Sequence, residues 1–182
     1  MSNTVLLFFS PDTKIELEPS LPVPSIRVSG TINENSDLTI MTWVVNKLRN
    51  KVERLNFELS HLTHITTFGI ENWVKSAKQL SLIAPSSYHQ VRENFLDHWN
   101  AKMDFFSFGA LSKGIRLESV EAPYFCSSCQ KERMSLIRTD DLKQNGDHTI
   151  APTVSCEQCK VPMRFSWIES EYFRFLRKHP SC

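Results

Sequence analysis

An α/β fold carrying a small metal-clamped β-rich unit is predicted by three observations. Strand and helix signals alternate along roughly the first 100 residues. All five cysteines lie after residue 125, and four of them form two C-x-x-C pairs. The chain has 182 residues and is 41% hydrophobic, enough for one ordinary domain plus an appendage. With 21 Lys+Arg against 20 Asp+Glu, it has no sequence-independent pull toward a phosphate backbone. Its 23% charged and 10% aromatic residues exclude a disordered chain. The apolar run Val5 to Phe9 is far below the roughly 20 residues of a membrane helix, and no basic residue precedes it as a signal peptide requires. A cytoplasmic protein without membrane insertion is therefore expected.

The elements follow in order. Val5 to Phe9 and Lys14 to Glu18 are strand candidates broken up by Pro11, Pro19, Pro22 and Pro24. Ile26 to Gly30 alternates apolar and polar residues and ends in Gly, as a strand entering a turn does. Ser36 reads as an N-cap, with Asp37 in the first turn, for a helix whose apolar stripe is Leu38, Met41, Val45, Leu48 and Val52. Arg54 to Ser60 alternates again as a strand. Ile70, Trp73, Val74, Ala77 and Leu80 recur at helical spacing. Leu80 to Ala84 reads as a short apolar strand, and Pro85-Ser86-Ser87 as the start of a third helix carrying Val91, Phe95 and Trp99.

Leu55-Asn-Phe-Glu-Leu-Ser60 followed by Ile65-Thr-Thr-Phe-Gly-Ile70 resembles the core motif of STAS domains, the family of bacterial anti-sigma-factor antagonists and anion-transporter regulatory tails. There a strand ending in Asp-Leu-Ser leads to Ile-Asp-Ser-Ser-Gly-Leu at a helix start. Leu82-Ile-Ala-Pro-Ser86 resembles the family's strand ending in Asn-Pro-Ser. The resemblance spans residues 26–100 and implies a STAS-like mixed sheet with helices over residues 1–121. It also implies binding to a protein partner.

The departures bear on mechanism. The family's phosphoacceptor Ser, directly before the Gly, is Phe68 here, and its Asp is Thr66. A kinase-controlled switch at Phe68 is therefore excluded. Thr67 keeps a hydroxyl, but helical geometry rotates it by about 100° from the acceptor direction. Thr67 is thus read as a helix cap before it is read as a phosphorylation site. A partner-binding face is expected around Thr66, Thr67, Phe68, Gly69, Ile70 and Trp73, with Phe68 as a constitutive aromatic contact. His61 and His64 lack a companion ligand and read as polar loop residues.

The strongest chemical signal is Cys126-x-x-Cys129, 26 intervening residues, then Cys156-x-x-Cys159. Each pair can turn two thiolates toward one point, and zinc takes four such ligands in a tetrahedron. The gap exceeds the usual span of about 15 to 20 residues, and the polar stretch from Asp140 to Asp147 reads as the loop that absorbs the excess. Strand candidates follow both pairs, at Met134 to Arg138 and Met163 to Ile168. The reading is a small β-rich zinc ribbon over residues 122–182, with Zn2+ structural because four Cys ligands leave no open position. His148 as a substitute ligand is made redundant by the complete Cys set. The knuckles depart from the usual Gly after the second Cys, carrying Gln130 and Lys160 at a place that favours a left-handed backbone. A thioredoxin-like redox reading competes, but neither pair is followed by a helix-forming sequence. Cys182 is read as a free thiol on the tail.

Ile168, Tyr172, Phe175 and Leu176 define a C-terminal helix with an aromatic face that needs a surface to cover. The junction, Phe105-Phe-Ser-Phe108 and Ile115 to Val120, is apolar and not linker-like, so the two units are expected to be rigidly apposed. Pro123-Tyr-Phe-Cys126 and Glu171-Tyr-Phe-Arg-Phe-Leu176 resemble bacterial proteins in which a zinc ribbon is appended to a STAS domain.

No nucleophile elbow, phosphate loop or carboxylate pair at recognisable spacing is present, so the chain is read as a non-enzyme. The leading expectation is a signalling or scaffold protein that binds a protein partner. Two alternatives are a nucleic-acid-binding or transcription-associated ribbon, and a regulatory subunit of a transport complex. Nucleic acid is disfavoured because four thiolates and one divalent ion cancel the net +2 of the ribbon's side chains. Homo-oligomerisation is left open.

Overall fold

The computed structural model describes residues 4–103, 114–145 and 148–176. Val5–Phe9 (β1), Thr13–Glu18 (β2) and Ser25–Ile32 (β3) form an antiparallel meander. Leu55–Ile65 (β4), Ser86–His89 (β5) and Ile115–Leu117 (β6) then add in parallel, so the sheet order is β1-β2-β3-β4-β5-β6. Parallel neighbours need crossovers, and the helices Thr39–Leu48 (α1), Thr67–Ser81 (α2) and Glu93–Met103 (α3) lie in those three connections. This is the mixed α/β sheet expected.

The strand alternation fixes which face is covered. Ile15, Leu17, Ile26, Val28, Phe57 and Tyr88 are buried, while the intervening Lys14, Glu16, Arg27 and Glu58 keep contact with solvent. The helices bury their stripes on the first set: Met41 and Val45 from α1; Ile70, Trp73, Val74, Ala77 and Leu80 from α2; Phe95 and Trp99 from α3. Phe57, Trp73, Tyr88, Phe95 and Trp99 form an aromatic chain, with Trp73 edge-on to Phe57 at 5.6 Å and to Phe95 at 5.5 Å. The opposite face carries polar residues, and Glu16, Glu18, Arg27 and Glu58 line a pocket on it.

Several elements differ from the sequence reading. Helix α1 begins at Thr39 after Leu38, with no side-chain cap. Ser36 is instead buried against β2, its Oγ 2.8 Å from Thr13 Oγ1, and Asp37 accepts hydrogen bonds from the backbone and hydroxyl of Thr39. Leu80 to Ala84 is not a strand: Leu80 completes the buried stripe of α2, and the chain turns with Ile83 and Ala84 N–H both donating to the Leu80 carbonyl. The strand is the next segment, Ser86 to His89. Its small polar residues are buried between two strands and carry no apolar alternation to reveal them. The third helix therefore starts at Glu93, leaving Val91 outside it in a bridge to Val120. Gly30 lies within β3 with φ of 85°, where an added Cβ would fall 2.0 Å from the Asp12 carbonyl oxygen. β4 runs on to Ile65, so His61 and His64 sit in a strand and not in a loop.

The second unit is built from Ser119–Cys126 (β7), Lys131–Arg138 (β8), Lys143–Asn145 (β9), His148–Ile150 (β10), Val154–Ser155 (β11) and Pro162–Phe165 (β12). Four of these make a sheet in the order β11-β12-β7-β8, and β9 pairs with β10 as a separate hairpin. The expected loop after Asp140 thus contains paired strands, with Gln144 and Thr149 side chains hydrogen-bonded across them. The change of sheet falls at Glu118. There Glu118 N–H donates to Tyr88, Val91 N–H to Ser119, and Glu121 N–H to Val91. Val120, Ala122 and Tyr124 join the same buried cluster as the first sheet.

The tail is a short helix, Glu169–Tyr172 (α4), followed by one tight turn over Arg174–Leu176. Its buried residues are Tyr172 and Phe173, whereas Ile168 is 68% exposed, because the helix begins only after Ile168. The Tyr172 hydroxyl donates to the Glu121 carbonyl and Asn100 Nδ2 donates to the Tyr172 carbonyl, 2.9 Å. The aromatic face is thus covered by α3 and β7 of the same chain. The run Phe105 to Phe108 and the terminus with Cys182 lie outside the described residues.

Candidate metal centre

Two tight turns bring the cysteines together. The first joins β7 to β8 and the second joins β11 to β12, so each C-x-x-C occupies the tip of a hairpin. In the first, Cys129 N–H points at Cys126 Sγ, 3.4 Å. In the second, Lys160 N–H donates to the Cys156 carbonyl at 2.8 Å and Cys156 N–H to the Val161 carbonyl at 2.9 Å. The residue after each second cysteine is left-handed: Gln130 has φ of 54° and Lys160 φ of 61°. A non-Gly residue there costs about 1 kcal/mol, so both turns hold a strained conformation that serves to aim the sulfurs.

The four Sγ atoms of Cys126, Cys129, Cys156 and Cys159 all lie within 4.8 Å of one another. Cys126 and Cys159 are 3.4 Å apart and Cys129 and Cys156 3.8 Å, well beyond the roughly 2.05 Å of a disulfide. Cys126 and Cys156 are buried, and Cys129 and Cys159 partly so. Four convergent thiols from two hairpins can hold a single metal ion. Among the described residues this is the one such group of cysteine, histidine and carboxylate side chains.

The thiols differ in acidity before metal binds. Backbone N–H groups of Cys159 and Gln158 stabilise the Cys156 thiolate and bring its pKa down to about 6. Cys129 is pushed up to about 12, first by its hydrogen bond with Cys159 and then by burial. The sulfur contacts and burial that favour the protonated Cys129 mean that a metal bound there must displace its proton. Metal binding should release protons, and affinity should fall as the pH is lowered, by about tenfold per pH unit for each proton displaced. The Cys156 thiolate is retained above about 6 and lost below it. Calorimetric titration in two buffers of different ionisation heat checks this; equal apparent heats, with affinity constant between acid and neutral pH, would contradict it.

The residues expected to form a partner face divide by burial. Thr66 is the N-cap of α2, its Oγ1 accepting from Gly69 N–H at 3.0 Å. The capping hydroxyl is thus Thr66 and not Thr67, which is exposed. Phe68 is 64% exposed, whereas Gly69, Ile70 and Trp73 are buried, because a helix lying on a sheet turns successive residues about 100° apart. Gly69 has no room for a side chain: an added Cβ would sit 2.3 Å from the Ile32 carbonyl oxygen.

A groove on the ribbon escaped the sequence reading. It is lined by Arg133, Met134 and Leu136 of β8 and by Val154, Glu157 and Met163. No protein-family model matches the chain, and no curated protein matches it.

Proposed function

We propose that the chain is a non-enzymatic, STAS-like protein-binding module with a structural zinc ribbon, acting in signalling or as a scaffold. The observation that carries this reading is Phe68: a large aromatic, 64% exposed, in the first turn of a helix at the position where the resembled family has its phosphoacceptor serine. Exposed aromatics supply much of the energy of protein interfaces. A partner docking there would do so independently of phosphorylation. The capped helix start at Thr66, the close approach that requires Gly69, and the parallel strand-helix-strand series all agree with the resemblance. The other residues grouped with Phe68 in the sequence motif serve by positioning it: Ile70 and Trp73 anchor the helix in the core.

Zinc is the metal that the donor set suits. A tetrahedron with Zn–S of about 2.3 Å has sulfur edges of about 3.8 Å, against 3.4 Å for Cys126–Cys159, 3.8 Å for Cys129–Cys156 and at most 4.8 Å for the rest. The Cys126, Cys129, Cys156 and Cys159 thiolates would fill all four positions, so zinc would supply structure and not an activated water.

Affinity purification from the native cell, with the unaltered chain and with Phe68→Ser side by side, tests the reading. Partners captured by the unaltered chain should be lost from the variant while its melting temperature is unchanged. Retention of every partner would refute it.

A further inference from the structure

The four cysteines alternate in burial along the chain. The first of each C-x-x-C, Cys126 and Cys156, is buried, and the second, Cys129 and Cys159, is partly open to solvent. Contacts between the two hairpin turns cross this pattern. Cys159 Sγ lies 3.4 Å from Cys126 Sγ, and Cys129 Sγ lies 3.8 Å from Cys156 Sγ. Each accessible sulfur is thus set against a buried sulfur of the opposite turn, and the two contacts use every sulfur once. Closing either of them to the roughly 2.05 Å of a disulfide draws the sulfurs together by less than about 2 Å.

Accessibility orders the chemistry. A hydroperoxide meets Cys129 and Cys159 before it meets the buried pair, and transfer of its oxygen to the open thiolate gives a sulfenic acid and hydroxide. The buried thiolate of the opposite turn then attacks that sulfur, forming the S–S bond and expelling a second hydroxide. For each pair, two thiolates lose two electrons and the O–O bond of one hydrogen peroxide accepts them. Once both pairs have closed, the sulfurs carry no charge and cannot hold a divalent ion. The bridges replace the tie that is lost. Their ends are 33 and 27 residues apart in sequence, and a cross-link constrains the unfolded chain more strongly as the loop it closes lengthens. Bridges inside each C-x-x-C would close only tiny loops, leaving β12 joined to β7 by two residue pairs.

We infer that the four-cysteine cluster is also an oxidative modification site, at which a hydroperoxide converts the metal clamp into two disulfides, Cys126–Cys159 and Cys129–Cys156, that expel the metal and keep the two hairpins tied. The metal reading is the premise for the reduced state alone. The pairing follows from burial and sulfur contacts whether or not an ion is held, so failure of either leaves the other testable.

The test treats the full folded chain with about two equivalents of hydrogen peroxide, one for each disulfide. Metal content measured beforehand decides the metal reading by itself; a chain isolated without metal refutes that reading, and its disulfides are mapped in the same way. Oxidation should release the metal and join the tryptic peptides spanning residues 117–131 and 144–160. Cleavage after Glu157 and fragmentation between Cys126 and Cys129 assign the pairs. Hydrogen exchange should show β11 and β12 still protected after oxidation, although a chelator that removes the same metal exposes them. The chain oxidised in urea should instead link Cys126 to Cys129 and Cys156 to Cys159, because short loops close first in an unfolded chain. Links within each C-x-x-C in the folded chain, or links of Cys126 with Cys156 and Cys129 with Cys159, would overturn the inference. So would loss of protection in β11 and β12 on oxidation, or four thiols that remain open to alkylation after excess peroxide.

Discussion

Stripping the metal with a thiol-selective chelator is expected to unfold the second hairpin and lower the melting temperature by on the order of 10 °C. The reason lies in how little else holds that hairpin. β11 and β12 share two residue pairs, and β12 meets β7 through two more, Arg164 opposite Phe125 and Phe165 opposite Tyr124. A four-cysteine zinc site contributes on the order of 10 kcal/mol to the folding of such a unit, far more than those few backbone bonds. The damage should spread through the aromatic contacts of Phe165 with Tyr124, Tyr172 and Phe173, which tie the ribbon to the tail and the tail to α3. Cys156→Ser, at a buried ligand, should reproduce the effect. Hydrogen exchange reads the outcome: β11 and β12 should lose protection on chelation while β4 keeps it. A metal-free chain with unchanged protection and melting temperature would show that the cysteines are not a structural metal site.

The second large effect is expected at Trp73. Truncation to Ala removes a ring that is 1% exposed and packed edge-on against Phe57, Phe95 and Tyr88, and should cost about 3–5 kcal/mol. Phe68→Ala, five residues earlier in the same helix, should change stability by no more than about 0.5 kcal/mol because its ring faces solvent. Chemical denaturation of both variants measures the contrast. Comparable losses at the two positions would mean that Phe68 is a packing residue, and the proposed contact surface would lose its basis. The pair also separates stability from binding, since a partner lost only on Phe68→Ala cannot be blamed on unfolding.

Much of this molecule is legible in one dimension because its signals are local. The alternation at Leu55, Phe57 and Leu59 marks a strand, and the 3.6-residue stripe from Ile70 to Leu80 marks a helix, since both patterns arise within one element. The two C-x-x-C pairs identify a candidate metal site because each hairpin tip aims its own two sulfurs. Even the left-handed turns at Gln130 and Lys160 follow from position within the motif. Each of these depends on chemistry within a few residues.

Long-range packing decided the rest. Leu80 to Ala84 has the composition of a strand, but burial of Leu80 in the aromatic core kept it in α2, and the inconspicuous Ser86 to His89 became the strand because β4 and β6 flank it. Ser36 is a fit N-cap by residue type, yet a hydrogen bond to Thr13, 23 residues away, drew it into the core. The motif around Phe68 groups six residues, and only the seating of α2 on the sheet separates the exposed Phe68 from the buried Ile70 and Trp73. The ribbon groove gathers residues of β8, β11 and β12 that are far apart in sequence. The amino-acid order by itself determined the α/β alternation and the four convergent cysteines, because periodicity and ligand spacing are short-range properties. Which residues of the Phe68 motif face solvent was decided by the tertiary structure, because exposure is set by what packs against a residue from elsewhere in the chain.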